Sequence, residues 1–103
     1  FHVALLPMNM HKSLRLKEAV DELYEALLEK GIEVFLDDRQ TRPGIMFADA
    51  ELIGIPHRIV LGDRGLDSGM AEYKNRRGDD EREVPLSEVV DFITQRVTGE
   101  VNL

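Results

Sequence analysis

The sequence predicts an α/β fold: a three-layer α/β/α sandwich with a mixed five-stranded sheet. Three observations carry this. Residues 2–6, 32–36 and 57–61 are short, nearly unbroken apolar runs, the pattern of strands buried on both faces of a parallel sheet. Between them lie stretches with helical spacing of apolar residues, so strand and helix alternate as parallel crossovers require. Beyond residue 69 the pattern changes to two short alternating segments and an amphipathic helix, which reads as a hairpin attached to a sheet edge.

The elements follow in order. The strand over 2–6 ends at Pro7. A helix opens with Ser13 as N-cap, carries Leu16, Val20, Leu23, Tyr24 and Leu27 on one stripe, and closes at Lys30-Gly31 with a basic last turn and a left-handed cap. The strand over 32–36 leads into a charge-dense loop, 37–44, ending in Pro43-Gly44. A short helix over 45–53 is stopped by Gly54-Ile55-Pro56, and the strand over 57–61 ends at Gly62. The hairpin comprises 70–76 and 81–84 around Gly78-Asp79. Pro85-Leu86-Ser87 begins the last helix, with Ser87 as a cap and Leu86, Val89, Val90, Ile93 and Val97 as its apolar face. Ligands of open α/β sheets gather at the carboxyl ends of the parallel strands. The segments 7–12, 37–44 and 62–66 converge there.

A chain of 103 residues, 43% hydrophobic, supports one domain spanning 1–103 with one core. It begins with Phe1, so we expect an excised piece of a larger protein. The absence of cysteine excludes disulfide scaffolds, thiolate zinc sites and cysteine nucleophiles. The longest apolar run, 3–7, is far too short for a membrane span, and no basic stretch precedes it as in a signal peptide. A net charge of -7 argues against a general binder of DNA or other nucleic acid. The charge is uneven, however. Residues 37–78 hold 7 basic and 7 acidic groups, whereas 79–103 hold 2 and 7. Six of the nine arginines (Arg39, Arg42, Arg58, Arg64, Arg76 and Arg77) lie in that middle third, and arginine's planar fork suits guanine edges and phosphates.

Most other motifs read as structural. Asp37-Asp38 could hold a metal or accept a phosphoryl group, but the first strand ends in Pro7-Met8-Asn9 with no carboxylate, and Asp63 alone is poorly placed. A solvated turn is the better reading. His2, His11 and His57 lack metal spacing, and Ser13, Ser68 and Ser87 lack a histidine partner. Gly62-Asp63-Arg64-Gly65 lacks both the spacing and the following helix of a phosphate cradle. No catalytic constellation is present. In the helix over 45–53, Ile45, Met46, Ala48, Ala50, Leu52 and Ile53 share one broad apolar arc, which also encloses Asp49. Phe47 and Glu51 fall together on the opposite side. They suit either a stacked base with a carboxylate on its edge or a ring tucked under a loop beside an ion pair.

The longest distinctive string runs Asp37-Asp38-Arg39, Arg42-Pro43-Gly44-Ile45-Met46-Phe47-Ala48-Asp49 and Glu51-Leu52-Ile53-Gly54-Ile55-Pro56-His57-Arg58-Ile59-Val60. With Leu6-Pro7-Met8-Asn9-Met10, Gly62-Asp63-Arg64, Glu72-Tyr73-Lys74 and Arg76-Arg77, it resembles the C-terminal anticodon-binding domain of bacterial prolyl-tRNA synthetase, a class IIa enzyme, over essentially the whole chain. The threonyl, histidyl and glycyl enzymes share the domain's outline but differ in this string.

The resemblance implies that the domain reads the two guanines shared by proline anticodons. Phe47 matches the aromatic that packs on a base, Glu51 the carboxylate on a guanine edge, Arg58 the arginine across from it, and Arg64 a further basic position. Arg39, Arg42, Lys74, Arg76 and Arg77 would then contact phosphates. One departure is Met46, where many relatives carry lysine. By the same resemblance the parent is a homodimeric cytoplasmic ligase that uses ATP and Mg²⁺ to charge tRNA with proline, bacterial members usually adding an editing domain. This domain itself would be non-catalytic and take neither metal nor cofactor. Two alternatives are the anticodon domain of another class IIa synthetase and a flavodoxin-like signalling or interaction module without RNA binding.

Overall fold

The computed structural model describes residues 2–8, 13–36, 52, 54–75 and 80–101, with side chains to residue 98 in the last segment. Five strands form one sheet in the order β2-β1-β3-β4-β5. Strands β1 (Val3–Pro7), β2 (Val34–Leu36) and β3 (His57–Leu61) are parallel, with Val3 opposite both Val34 and His57. Strands β4 (Met70–Asn75) and β5 (Glu81–Pro85) add antiparallel at the β3 edge. This is the mixed sheet the sequence predicts.

One face of the sheet is covered by helix α1 (Leu14–Glu29) and the C-terminal helix (Val89–Val101). The α1 stripe Leu16, Val20, Leu23 and Leu27 is buried against Val3, Leu5, Ile59 and Tyr73, and Ile93 and Val97 meet the same core. Each such side chain contributes about 1.5–3 kcal/mol relative to exposure. On the other face Ala4, Leu6 and Ile55 form a smaller cluster with Met8, Phe35 and Val60. The helix expected over 45–53, which would complete the third layer, lies outside the described residues apart from Leu52. Leu52 is 86% exposed rather than buried. The apolar arc read from the wheel is about twice as wide as the roughly 100° stripe a helix turns to a core, so part of it must face outward.

Local chemistry explains where the boundaries moved. Ser13 caps α1 as expected, its Oγ accepting from the Leu16 N–H at 3.3 Å. At the other end Lys30 is the C-cap rather than part of a basic last turn, and Gly31 adopts φ 78°. The Gly31 N–H donates to the Leu28 carbonyl and the Ile32 N–H to that of Leu27, the paired bonds of a Schellman motif. Ile32 is thereby held by the helix, and β2 begins only at Val34. At the far end of the chain Pro85 finishes β5 instead of opening a helix. A 3-10 turn, Leu86–Glu88, follows, set by the Leu86 N–H on the Gly69 carbonyl at 2.9 Å. Ser87 lies inside that turn and is not a cap.

The segment 62–66, expected as a loop, is helical: α2 spans Asp63–Ser68, and the C-terminal helix Val89–Val101 becomes α3. Gly65 conceals this helix in the sequence because glycine disfavours helix by about 1 kcal/mol. The structure requires glycine there, since a Cβ would stand 2.5 Å from the Met70 carbonyl oxygen. Gly65→Ala is therefore expected to destabilise the domain by about 1–3 kcal/mol, measured by urea denaturation. An unchanged midpoint would show that α2 can move away from β4 freely.

Candidate nucleic-acid interface

The pleat of β3 decides which side chains are available. His57, Ile59 and Leu61 turn to the helix-covered core, and His57 Nδ1 lies 2.8 Å from the Tyr73 hydroxyl. Arg58 and Val60 turn to the opposite face. Register then builds two rows across it. Ala4, Arg58, Lys74 and Glu81 stand side by side, as do Leu6, Val60, Glu72 and Glu83. The second face is thus apolar over β1 and charged over β4 and β5.

Two adjoining grooves run over this charged half. One, of ≈ 390 Å³, is lined by Arg58, Val60, Glu72, Lys74, Glu81 and Glu83. The other, of ≈ 330 Å³, shares Val60, Glu72 and Glu83 and extends past Gly62 to Arg64 at the carboxyl end of the parallel strands. Arg58 is 3% exposed and held by its place in the central strand, whereas Arg64 is exposed and Lys74 half-buried. Arg58 and Lys74 thus line one end, where Glu81 stands opposite Lys74, and Arg64 the other, with Glu72 and Glu83 between them.

The groove's two borders are braced. At the Arg64 end the Ser13 hydroxyl donates to Asp63 Oδ1 at 2.7 Å. Arg15 donates to the same oxygen through Nε and to the Asp63 carbonyl through Nη2, both at 3.1 Å. At the Lys74 end, the neck of the hairpin closes through the Asn75 N–H on the Asp80 carbonyl, 3.1 Å. Asp80 then accepts from Arg82 (2.7 Å) and Arg96 (2.6 Å), tying β5 to α3. The Arg96 guanidinium lies over the rings of Phe92 and Tyr73, 4.7 and 5.4 Å from their centroids.

Of the residues singled out in the sequence, Arg58, Arg64 and Lys74 fall on this one surface. Phe47, Glu51, Arg39, Arg42, Arg76 and Arg77 lie outside the described residues, as do Asp37, Asp38, His11 and Asp49. His57 is a core histidine bonded to Tyr73, and His2 Nδ1 accepts the Glu33 N–H at 3.0 Å, pinning the start of β2. Asp63, read as poorly placed for a metal, serves the Ser13–Arg15 brace. Among the described residues no helix is long and apolar enough to cross a membrane.

The family model of the anticodon binding domain matches residues 2–96. That covers the whole sheet and most of α3. The chain belongs to the anticodon-binding domain family of the class II aminoacyl-tRNA synthetases. The flavodoxin-like signalling alternative is thereby set aside. In this anticodon-binding domain the charged face of β3, β4 and β5 stands beside the strand ends where an α/β sheet presents ligands.

Sequence reasoning did not pick out Glu72, Glu81 and Glu83 as groove residues. Each is one of many exposed glutamates in an acidic chain, and only the β4–β5 register places Glu72 opposite Glu83. Alternation with buried Ala71, Tyr73 and Val84 was the available signal, since it puts all three carboxylates on one face.

Electrostatics gives these braces a pH dependence. The Asp63 carboxyl is held below its ordinary value by the Ser13 hydroxyl and then by Arg15, and that of Asp80 by Arg82 and then Arg96. A carboxylate whose pKa is depressed by folding stabilises the native state above its unfolded value of about 3.9, and loses that contribution as pH falls through the folded value. The thermal midpoint is expected to fall on acidification below about pH 4. A domain carrying both Asp63→Asn and Asp80→Asn should start lower at neutral pH and show a shallower acid decline. An identical decline in that variant would assign the acid sensitivity to other carboxylates.

Proposed function

We propose that this domain reads the anticodon of proline tRNA as the recognition module of a prolyl-tRNA synthetase. The single observation that supports proline over the other class IIa amino acids is the string from Asp37 to Val60, including Phe47, Glu51 and Arg58. The charged face adds physical support, because Arg58 of that string lies in a groove with Lys74, which continues to Arg64.

In this reading the carboxylate of Glu51 accepts from guanine N1–H and N2–H₂, while the guanidinium of Arg58 donates to O6 and N7. Phe47 stacks on a base and Arg64 approaches from the strand ends. Arg39, Arg42, Lys74, Arg76 and Arg77 hold phosphates, positioning the loop without specifying it. Burial favours discrimination: a guanidinium fixed in a central strand cannot follow a misplaced acceptor, and a wrong base leaves desolvated groups unpaired. Each guanine read by a bidentate contact gains about 1–3 kcal/mol over the wrong base.

The parent would be a cytoplasmic, homodimeric ligase that charges tRNA with proline at the expense of ATP in the presence of Mg²⁺. The remaining domains would carry that chemistry. Among the described residues of this chain no group of three or more histidines or carboxylates is placed to hold a metal ion. In this reading the domain has an identity-reading role, and catalysis, metal and cofactor belong to the parent's remaining domains.

Fluorescence anisotropy at low salt tests this, using an RNA hairpin with the proline anticodon loop and versions in which each shared guanine is replaced by adenine. Low salt preserves the few phosphate contacts of an acidic domain. Tighter binding of the two-guanine loop is expected. Preference for another loop would assign the domain to a different class IIa synthetase. Phe47→Ala should weaken binding by about 1–3 kcal/mol if the ring stacks on a base. Glu51→Ala and Arg58→Ala should reduce preference for guanine while the fold, followed by circular dichroism, persists; unfolding of both would instead identify a structural ion pair.

A further inference from the structure

We infer that Arg15 is a positioning residue for RNA recognition: with Ser13 and Asp63 it forms a latch that holds Arg64 in place at the end of the groove. The inference rests on the reading of Arg64 as an RNA contact.

Helix α2, which carries Arg64, has little to hold it by itself. It is six residues long, well below the length at which a helix is stable alone, and Gly62 supplies no side-chain cap. Its place is set from outside. Leu66 packs against the core, and Gly65 lies against the Met70 carbonyl. The Leu86 N–H holds the carbonyl of the α2 C-cap, Gly69, and further polar ties come from the start of α1. The Ser13 oxygen accepts from the Leu16 N–H and donates to Asp63, so one atom both caps α1 and grips the first residue of α2. Arg15 reaches Asp63 through Nε and Nη2 and Asp67 Oδ1 through Nη1 at 2.8 Å. Its planar fork thus grasps residues on both sides of Arg64.

These pairs contribute only a small part of global stability. The side chains of Arg15, Asp63 and Asp67 are 53%, 48% and 65% exposed, the range in which ion pairs contribute least. Their consequence is local. They join the segments that follow β1 and β3, two adjacent strands whose carboxyl ends border the groove. An arginine on a segment fixed in advance loses less freedom on binding than one on a loose turn.

The test is a double-mutant cycle in the full-length protein, read as affinity for the proline anticodon hairpin at low salt. Arg64→Ala weakens binding. Arg15→Ala is expected to weaken it about 3- to 10-fold in the parent background and by less than about twofold when Arg64 is already alanine. Asp63→Asn gives an independent sign. It removes a negative charge, so electrostatic attraction alone predicts tighter binding, whereas the latch predicts weaker binding. Thermal midpoints at neutral pH confirm that each variant is folded. Equal loss from Arg15→Ala in both backgrounds, or tighter binding by Asp63→Asn, overturns the latch. So does an Arg15→Ala protein that binds normally while Arg64→Ala does not. If Arg64→Ala itself has no effect, the reading of Arg64 falls and the latch with it.

Discussion

Everything in this domain is arranged around the pleat of β3. The strand lies between a parallel neighbour, β1, and an antiparallel one, β4, and its side chains must alternate between faces. His57, Ile59 and Leu61 are committed to the core beneath α1 and α3. Arg58 and Val60 are thereby committed to the other face, and a slip of one residue would exchange the two sets. Arg58 is a charged residue in a central strand and is nonetheless buried on this second face, 3% exposed. The parallel half of the sheet supplies a rigid apolar base, and the antiparallel hairpin carries the charged groups out to one side.

That division explains how an acidic chain can serve an anticodon-binding family. Gripping RNA demands many phosphate contacts and a basic surface, whereas reading a base demands a few groups held in fixed orientation. Under the proposed function the sheet would supply the second. Arg58 is buried in the strand, Lys74 stands opposite it, and Arg64 sits on a helix pinned between Met70 and Arg15. The carboxylates of Glu72 and Glu83 lie between.

The strands, α1 and the final helix were legible because their apolar spacing is strong and each buries its stripe where the spacing says. The errors cluster where the local signal competed with another bond, a close contact or a second reading of the helix face. Ile32 reads as strand, yet its N–H closes the Schellman motif of α1. Ser87 reads as a cap, but the bond between Leu86 and Gly69 places it inside a 3-10 turn. Gly65 reads as loop, but close approach to Met70 makes glycine the residue a packed helix requires. Leu52 reads as core on a wheel too wide for one buried stripe.

The sequence by itself determined the α/β class, the mixed sheet and the kinship with anticodon-binding domains, because apolar periodicity and a long distinctive string are properties of consecutive residues. It also indicated Arg58, Arg64 and Lys74, through that string and the segments that accompany it. Only the tertiary structure decided that these three share a surface, that Glu72 and Glu83 stand opposite each other in its middle, and that Arg15 reaches across to Asp63. Those relations join residues far apart in the chain. They are fixed by strand register and by the meeting of helix ends, which no local pattern encodes.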